Sequence, residues 1–298
     1  MQNSKERRQS IMSRKYHSRL EFKKQMRLLP GHIIIWLWCI FTIGMLAWIV
    51  AASLSTSPEI MRGNALKFAT GLHFENYVKA WNANNISVFF MNSLIYASTS
   101  MVGTLLVSAP AAYVLARYVF KGNNPIRVSF VMAMSLPQIM VVLPLFFLTT
   151  KMGLTGSKFV LILIYIGMQV PYTTTFLITF FNNLSRVYEE AAAIDGCPPM
   201  RTFWQIMLPL AQPGIVTVGI FNFMSIWNEY FLSLIFAASE KNMSVGPGLK
   251  SVLTAMQYTG DWGGLFAAVV IVFTPTLLIF ICLSKTIISG ITAGGVKG

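Results

Sequence analysis

The chain has 298 residues, of which 55% are hydrophobic and only 11% charged. A charge content under half that of an average soluble domain excludes an ordinary globular protein, and several apolar stretches of about twenty residues point to an all-α polytopic membrane protein. The net charge of +13 does not point to nucleic acid: nine of the 23 Lys and Arg fall in residues 5–27, and a basic run flanking an apolar span serves to orient it.

In chain order, residues 1–31 read as a cytoplasmic basic arm, partly helical around Arg19–Leu28. It either rests on anionic membrane lipid or is a solvated tail that sets topology. The first span covers about His32 to Ala52, bracketed by Trp36, Trp38 and Trp48 as interface aromatics are. The apolar run is too long for a cleavable signal, so it is expected to stay as an anchor. Residues 53–85 form a first external loop. The second span runs from about Ile86 to Ala116, kinked at Pro110, and a turn-rich basic loop from Arg117 to Arg127 follows inside. The third span, about Val128 to Thr150, holds Pro137 and Pro144 on nearly one face. Two readings stand there: a bent structural helix, or a helix that lines a pathway and flexes. A fourth span, about Phe159 to Phe181, is expected to break at Pro171.

Residues 183–211 are a mixed polar and apolar segment too long for a simple connection. The pattern predicts two short helices. The first, Glu189 to Ile194, has acidic residues where the helix dipole favours them and stops at Gly196. The second starts at Pro198–Pro199, runs to about Leu208 before Pro209, and carries Phe203, Ile206 and Met207 on one face. The fifth span is about Gln212 to Ala237 and contains Asn222, Asn228 and Glu229. Residues 238–262 form the last external loop, and the sixth span, about Gly263 to Ser284, leads to a tail at 285–298. The transmembrane region is thus 32–284, with six helices. Both termini then share a side holding 16 Lys and Arg against 7 opposite, an excess that puts the termini and the elbow in the cytoplasm.

No enzyme signature is present. The nearest text to a phosphate loop, Gly246-Pro-Gly-Leu-Lys-Ser251, has the wrong spacing, the three histidines are well separated, and no cluster has metal-ligand spacing. The three cysteines imply no disulfide framework. Glu229 is the only carboxylate placed within a span. It is either an ion-coupling site, as in a secondary transporter acting without an ATPase, or a carboxylate hydrogen-bonded to Asn228, Tyr230 or a neighbouring helix. Polar side chains available to a substrate pathway include Asn92, Gln138, Asn222, Asn228 and Glu229.

Glu190-Ala191-Ala192, three residues, Gly196, nine residues, Ile206, one residue, Leu208-Pro209 resembles the EAA motif of the membrane subunits of ATP-binding-cassette importers at every fixed position. Asn92-Ser93, the paired prolines of the third span, Gly153-Leu154, Trp227-Asn228-Glu229 and the Gly290–Gly298 tail are similar to the carbohydrate branch, in particular the maltose-permease G-type subunit. The resemblance implies a type I importer permease fold, N-in and C-in, in a bacterial cytoplasmic membrane. It implies that the elbow is a coupling helix, with Glu190, Ala191, Ala192, Asp195, Gly196, Phe203, Ile206, Leu208 and Pro209 meeting an ATPase subunit, and Phe203, Ile206 and Met207 filling that subunit's cleft. It further implies a homologous second permease as heterodimer partner, an ATPase dimer that holds the ATP and Mg so that this chain needs no cofactor, and an extracellular solute-binding protein. A scoop at Ser244, Gly246 and Gly248 would meet that protein. Cys197-Pro198-Pro199 departs from the small or polar residues usual after the motif glycine.

Overall fold

The computed structural model describes residues 2–82, 85–237 and 239–295, with side chains described between residues 28 and 286 except 256 and 257. Among these residues there is no β-strand. The helices are α1 Gln2–Ser53, α2 Ser57–Met61, α3 Glu75–Asn82, α4 Ile86–Arg117, α5 Asn123–Met134, α6 Gln138–Lys151, α7 Lys158–Asn183, α8 Val187–Ile194, α9 Pro199–Thr202, α10 Leu208–Leu210, α11 Gln212–Trp227, α12 Phe231–Phe236, α13 Val245–Thr259 and α14 Trp262–Gly295. A π-helical turn, Phe203–Met207, joins α9 to α10.

Four stretches are long and apolar enough to cross a bilayer: Leu28–Ser53, Ile86–Arg117, Lys158–Asn183 and Trp262–Thr286. Two bent pairs bring the number to six if each is one span. The helices of the first pair, α5 and α6, meet at 97°, and the elbow arm Pro199–Leu210 meets α11 at 75°.

The prolines behave unequally. The third span is broken rather than merely bent: Pro137, extended at φ −60° and ψ 129°, caps α6 instead of continuing α5. The expected break at Pro171 does not occur, because α7 runs through it, as α4 runs through Pro110. Neighbouring helices make such interior prolines tolerable. The arm is continuous with the first span in α1, without a boundary near residue 31. The proposed lie of its basic side chains on lipid falls outside the described residues, as do the side chains of the tail beyond 286 and the whole of 296–298.

The centre of the bundle is α4 packed along α7 and α11. Ser100, Thr104 and Ser108 are spaced one turn apart and fully buried on α4. Small side chains let the helix backbones approach closely where apolar burial alone gives no driving force. Gly214 on α11 lies so near Phe180 that an added Cβ would sit 2.5 Å from its ring. By contrast, most of the Leu28–Ser53 span is exposed in the isolated chain, meeting α14 near its end through Trp48 and Phe266, edge to face at 5.2 Å.

The loop expected at 53–85 holds α2 and α3 and is organised by Glu59. Its carboxylate accepts hydrogen bonds from the backbone N–H and hydroxyl of Thr56, at 3.0 and 2.9 Å, and of Thr70, both at 3.0 Å. The Thr56 N–H bond first, and its companions with it, hold the carboxyl at about 2, below its ordinary 4.5. A depressed folded pKa gives stability that is complete above 4.5 and drains away as pH falls towards 2. Thermal unfolding of the detergent-solubilised protein between pH 6 and pH 3 should therefore show a loss that Glu59→Gln flattens. Parallel curves for the two proteins would contradict this.

Candidate functional site

The elbow follows α7 after a short joint. The Val187 N–H donates to the Ser185 hydroxyl at 3.3 Å as α8 begins. The end of α8 is a Schellman turn: Cys197 N–H donates to Ala192 O at 2.8 Å, and Gly196 N–H to Ala193 O at 3.1 Å. Gly196 has φ +70°, a conformation in which a Cβ is strained. Pro199 then opens α9, preceded by extended Pro198. The helix does not end before Pro209. Pro209 has no N–H, and in a regular helix its ring would press on the carbonyl one turn back. The π turn ahead of it, closed by Leu208 N–H to Phe203 O, accommodates that misfit, and the helix continues to Leu210.

The apolar face of this second arm points the other way from the expectation. Phe203 is 3% exposed and Met207 fully buried, both within the chain's own core beside Tyr113, Leu177 and Phe181. They cannot fill a partner's cleft. They anchor the elbow to the chain's own bundle instead, in an aromatic socket: the Tyr113 and Phe203 rings are 5.1 Å apart. Ala192 is also buried, and Ile206 and Leu208 are half-buried against the same cluster. Glu190, Ala191, Asp195, Gly196 and Pro209 are exposed. Reading the sequence missed two apolar side chains that protrude at the tip: Ile194, 87% exposed, and Met200, 70% exposed, on either side of the Gly196 turn. Their signal was an apolar residue immediately before a helix stop and another just after a proline start.

The five pathway candidates do not share one site. Asn92 is buried near the N-terminal end of α4, and its amide donates to Lys241 O and Met243 O while its oxygen accepts from Lys158 Nζ. That amide staples the segment before α13 to α4 and is closed to a ligand. Asn222 is fully buried and bonds Thr173 across to α7, at 3.0 and 3.2 Å. Gln138 lies exposed at the break of the third span, and Asn228 is exposed with its amide on Met224 O, one turn back.

Glu229 interrupts the fifth span, which was expected to be continuous. Residues 228–230 leave the helix, and the Glu229 carboxylate caps α12, accepting from Leu232 N–H at 2.7 Å and Ser233 N–H at 3.1 Å. The Tyr165 hydroxyl donates to it at 2.9 Å. Its partner is thus a neighbouring helix, rather than Asn228 or Tyr230.

The scoop residues face inward. Ser244 is buried, its N–H bonded to the Ser233 hydroxyl. A Cβ on Gly248 would lie 2.3 Å from the Phe89 ring, and one on Gly246 would lie 3.2 Å from Glu229 O. These glycines let α13 lie tight on the bundle, so they cannot be the tip of a reaching loop. The outward side of α13 carries Lys250, Leu253, Thr254 and, at 87% exposure, Tyr258. Among the described residues no three His, Cys, Asp or Glu side chains come together as metal ligands.

The chain is similar to known transport proteins over most of its length. Residues 106–291 match the family of binding-protein-dependent transport system inner membrane components. The diacetylchitobiose uptake system permease protein NgcG of Streptomyces coelicolor is 33% identical over 89% of this chain and 87% of its own length. The sulfoquinovosyl glycerol transport system permease protein SmoH of Agrobacterium fabrum is 31% identical over 84% and 87%. The trehalose/maltose transport system permease protein MalG of Thermococcus litoralis is 29% identical over 94% and 99%. In the crystal structure of a bacterial ABC transporter involved in the import of the acidic polysaccharide alginate, one chain shares the fold with a TM-score of 0.73 at 21% identity, over 86% of this chain and 95% of that one. A helical bundle interrupted by a structured EAA elbow, matched by this family over most of its core, is a transport component rather than an enzyme: the chain belongs to the binding-protein-dependent transport system inner membrane components, the permease subunits of ATP-binding-cassette importers.

Proposed function

We propose that this permease takes up a carbohydrate and that its 183–211 elbow is the contact through which a separate ATPase drives it. The named relatives support the substrate class, since diacetylchitobiose, sulfoquinovosyl glycerol, trehalose and maltose are sugars or sugar conjugates. The working assembly on this reading pairs the chain with a homologous second permease. An ATPase dimer carries ATP and Mg on the cytoplasmic side, and a solute-binding protein delivers sugar outside. The 16-to-7 distribution of Lys and Arg supports six spans with both termini and the elbow inside.

One observation carries the coupling role. The elbow is rooted in the bundle by buried Phe203 and Met207 yet ends in a solvent-facing tip, Ile194 and Met200, around the Gly196 turn. Exposed apolar side chains on a rigid base suit a protein groove. Residues Glu190, Ala191, Asp195, Gly196 and Pro209 surround that contact, while Ala192, Phe203, Ile206 and Leu208 support it from behind. On the substrate side, Gln138 and Asn228 are the pathway candidates whose exposure leaves them open to a sugar hydroxyl. The exposed side of α13, rather than Ser244, Gly246 and Gly248, is the surface for the binding protein. Ion coupling by Glu229 finds no support, because its carboxylate is already held by two backbone amides and a tyrosine.

The test is cross-linking from Ala193→Cys, in a background lacking the native cysteines, in membranes that contain the whole importer. Capture of the ATPase subunit is expected. Capture of nothing but lipid or the other permease, or labelling of this position by an impermeant reagent from outside, would overturn the reading.

A further inference from the structure

One guanidinium joins three elements at the inner end of the bundle. Arg117 is the last residue of α4, and its side chain is 5% exposed. Its Nη2 donates to Leu184 O, at the cap of α7, at 2.8 Å. Its Nε lies 3.3 Å from Glu189 Oε2, in the first turn of α8. Tyr113, one turn earlier on α4, lines the same cavity as Arg117 and Glu189. The ring of that tyrosine packs on Phe203 in the elbow's second arm.

The two arms are therefore tied to one turn of α4 by different means. The second arm is held by aromatic packing. The first has almost none: Ala192 is the only buried residue of α8. Beside it lies an open cavity of about 310 Å³, between Tyr118, Arg186, Glu190 and Cys197. Besides buried Ala192 and the Gly196 turn, α8 connects to the bundle through the three residues that follow α7, a joint at which it can hinge.

We propose that the Arg117–Glu189 pair, backed by Tyr113, is the strut that locks the elbow's first arm to α4, so that both arms move as one body when the ATPase pushes on them. This rests on the elbow being the ATPase contact. Arg117 is buried and Glu189 one-fifth exposed where the two line this cavity, so screening is weaker than in bulk water, and removing either charge leaves the other uncompensated. An ion pair that only stabilised the fold would alter the amount of complex and not the geometry of the arm.

The test is a distance measurement between spin labels at Ala193→Cys on α8 and Val119→Cys, just past α4, in the assembled importer in nanodiscs with and without a non-hydrolysable ATP analogue. Val119 suits this use because it is exposed and its turn is clamped by the Asn123 amide on Leu115 O and Tyr118 O. The expected result is one narrow distance in the parent protein under both conditions. Arg117→Ala should split or broaden it, and the exchange Arg117→Glu with Glu189→Arg should restore it. Should Arg117→Ala fail to assemble, Glu189→Gln, which keeps the shape and loses the charge, decides the matter by the same readout. An unchanged narrow distance in these single variants, or a double variant no narrower than either single one, overturns the strut. Cross-linking of Ala193→Cys to the ATPase, scored in unlabelled preparations of the same variants, tells failure of the strut from failure of the coupling reading.

Discussion

Gly196→Asp is expected to abolish sugar uptake while leaving the protein in the membrane at near-normal amount. The left-handed backbone at this position costs an L-residue about 1–2 kcal/mol, too little to unfold a domain of ordinary stability. Among the described residues, apart from its two chain neighbours, none lies within 4 Å of a Cβ added there, so the added side chain starts in open space. On the proposed docking, the aspartate instead adds bulk at the turn between exposed Ile194 and Met200, where the ATPase sits, and a second carboxylate beside Asp195. Gly196→Ala separates the contributions, since it brings the strain without the charge or reach and should keep most of the uptake. Immunoblots of membranes alongside uptake of labelled sugar make the comparison. Full activity in the aspartate variant, or equal loss in both, would remove Gly196 from the docking surface.

Phe203→Ala is expected to destabilise the lone permease by about 3–5 kcal/mol, the usual cost of emptying a buried phenylalanine site. That corresponds to a fall in melting temperature on the order of 10 °C for a chain of this size. The effect should appear in detergent with no ATPase present, because the socket is made of Tyr113 and Phe181 of the same chain. Met200→Ala is the opposite case. At 70% exposure its removal should shift lone-chain stability by no more than about 0.5 kcal/mol, yet weaken retention of the ATPase during purification. If Phe203→Ala melts like the parent protein and only loses the ATPase, the buried anchor is wrong and the cleft-filling role is right.

These two residues mark what the sequence makes visible. The stop at Gly196 and the start at Pro199 are local matters of backbone freedom, and both were legible. The direction of the Phe203 face was not: apolar spacing of three and four establishes that a face is buried, never against what. The same limit applies to Gly246 and Gly248. Glycine in a loop suggests reach, but here it serves close contact with Phe89 and Tyr230. Among the prolines, Pro137 breaks its helix and Pro171 does not, a difference that depends on packing the one-dimensional text does not carry. Glu229 was legible as a carboxylate needing a partner, and Tyr165, 64 residues away, was not. Arg117 counted only as one charge in an internal loop until α4, α7 and α8 met around it.

The joint between the elbow and α11 consists of a single residue, Ala211, which is fully buried. So short a knuckle stores little slack. The 16 residues of α11 make a rod about 24 Å long, and a turn of about 10° at its foot sweeps its far end through about 4 Å. That displacement is of the order of a sugar ring's thickness, so a small tilt of the elbow about Ala211 is enlarged at the Trp227 end of α11 into a movement on the scale of the proposed cargo.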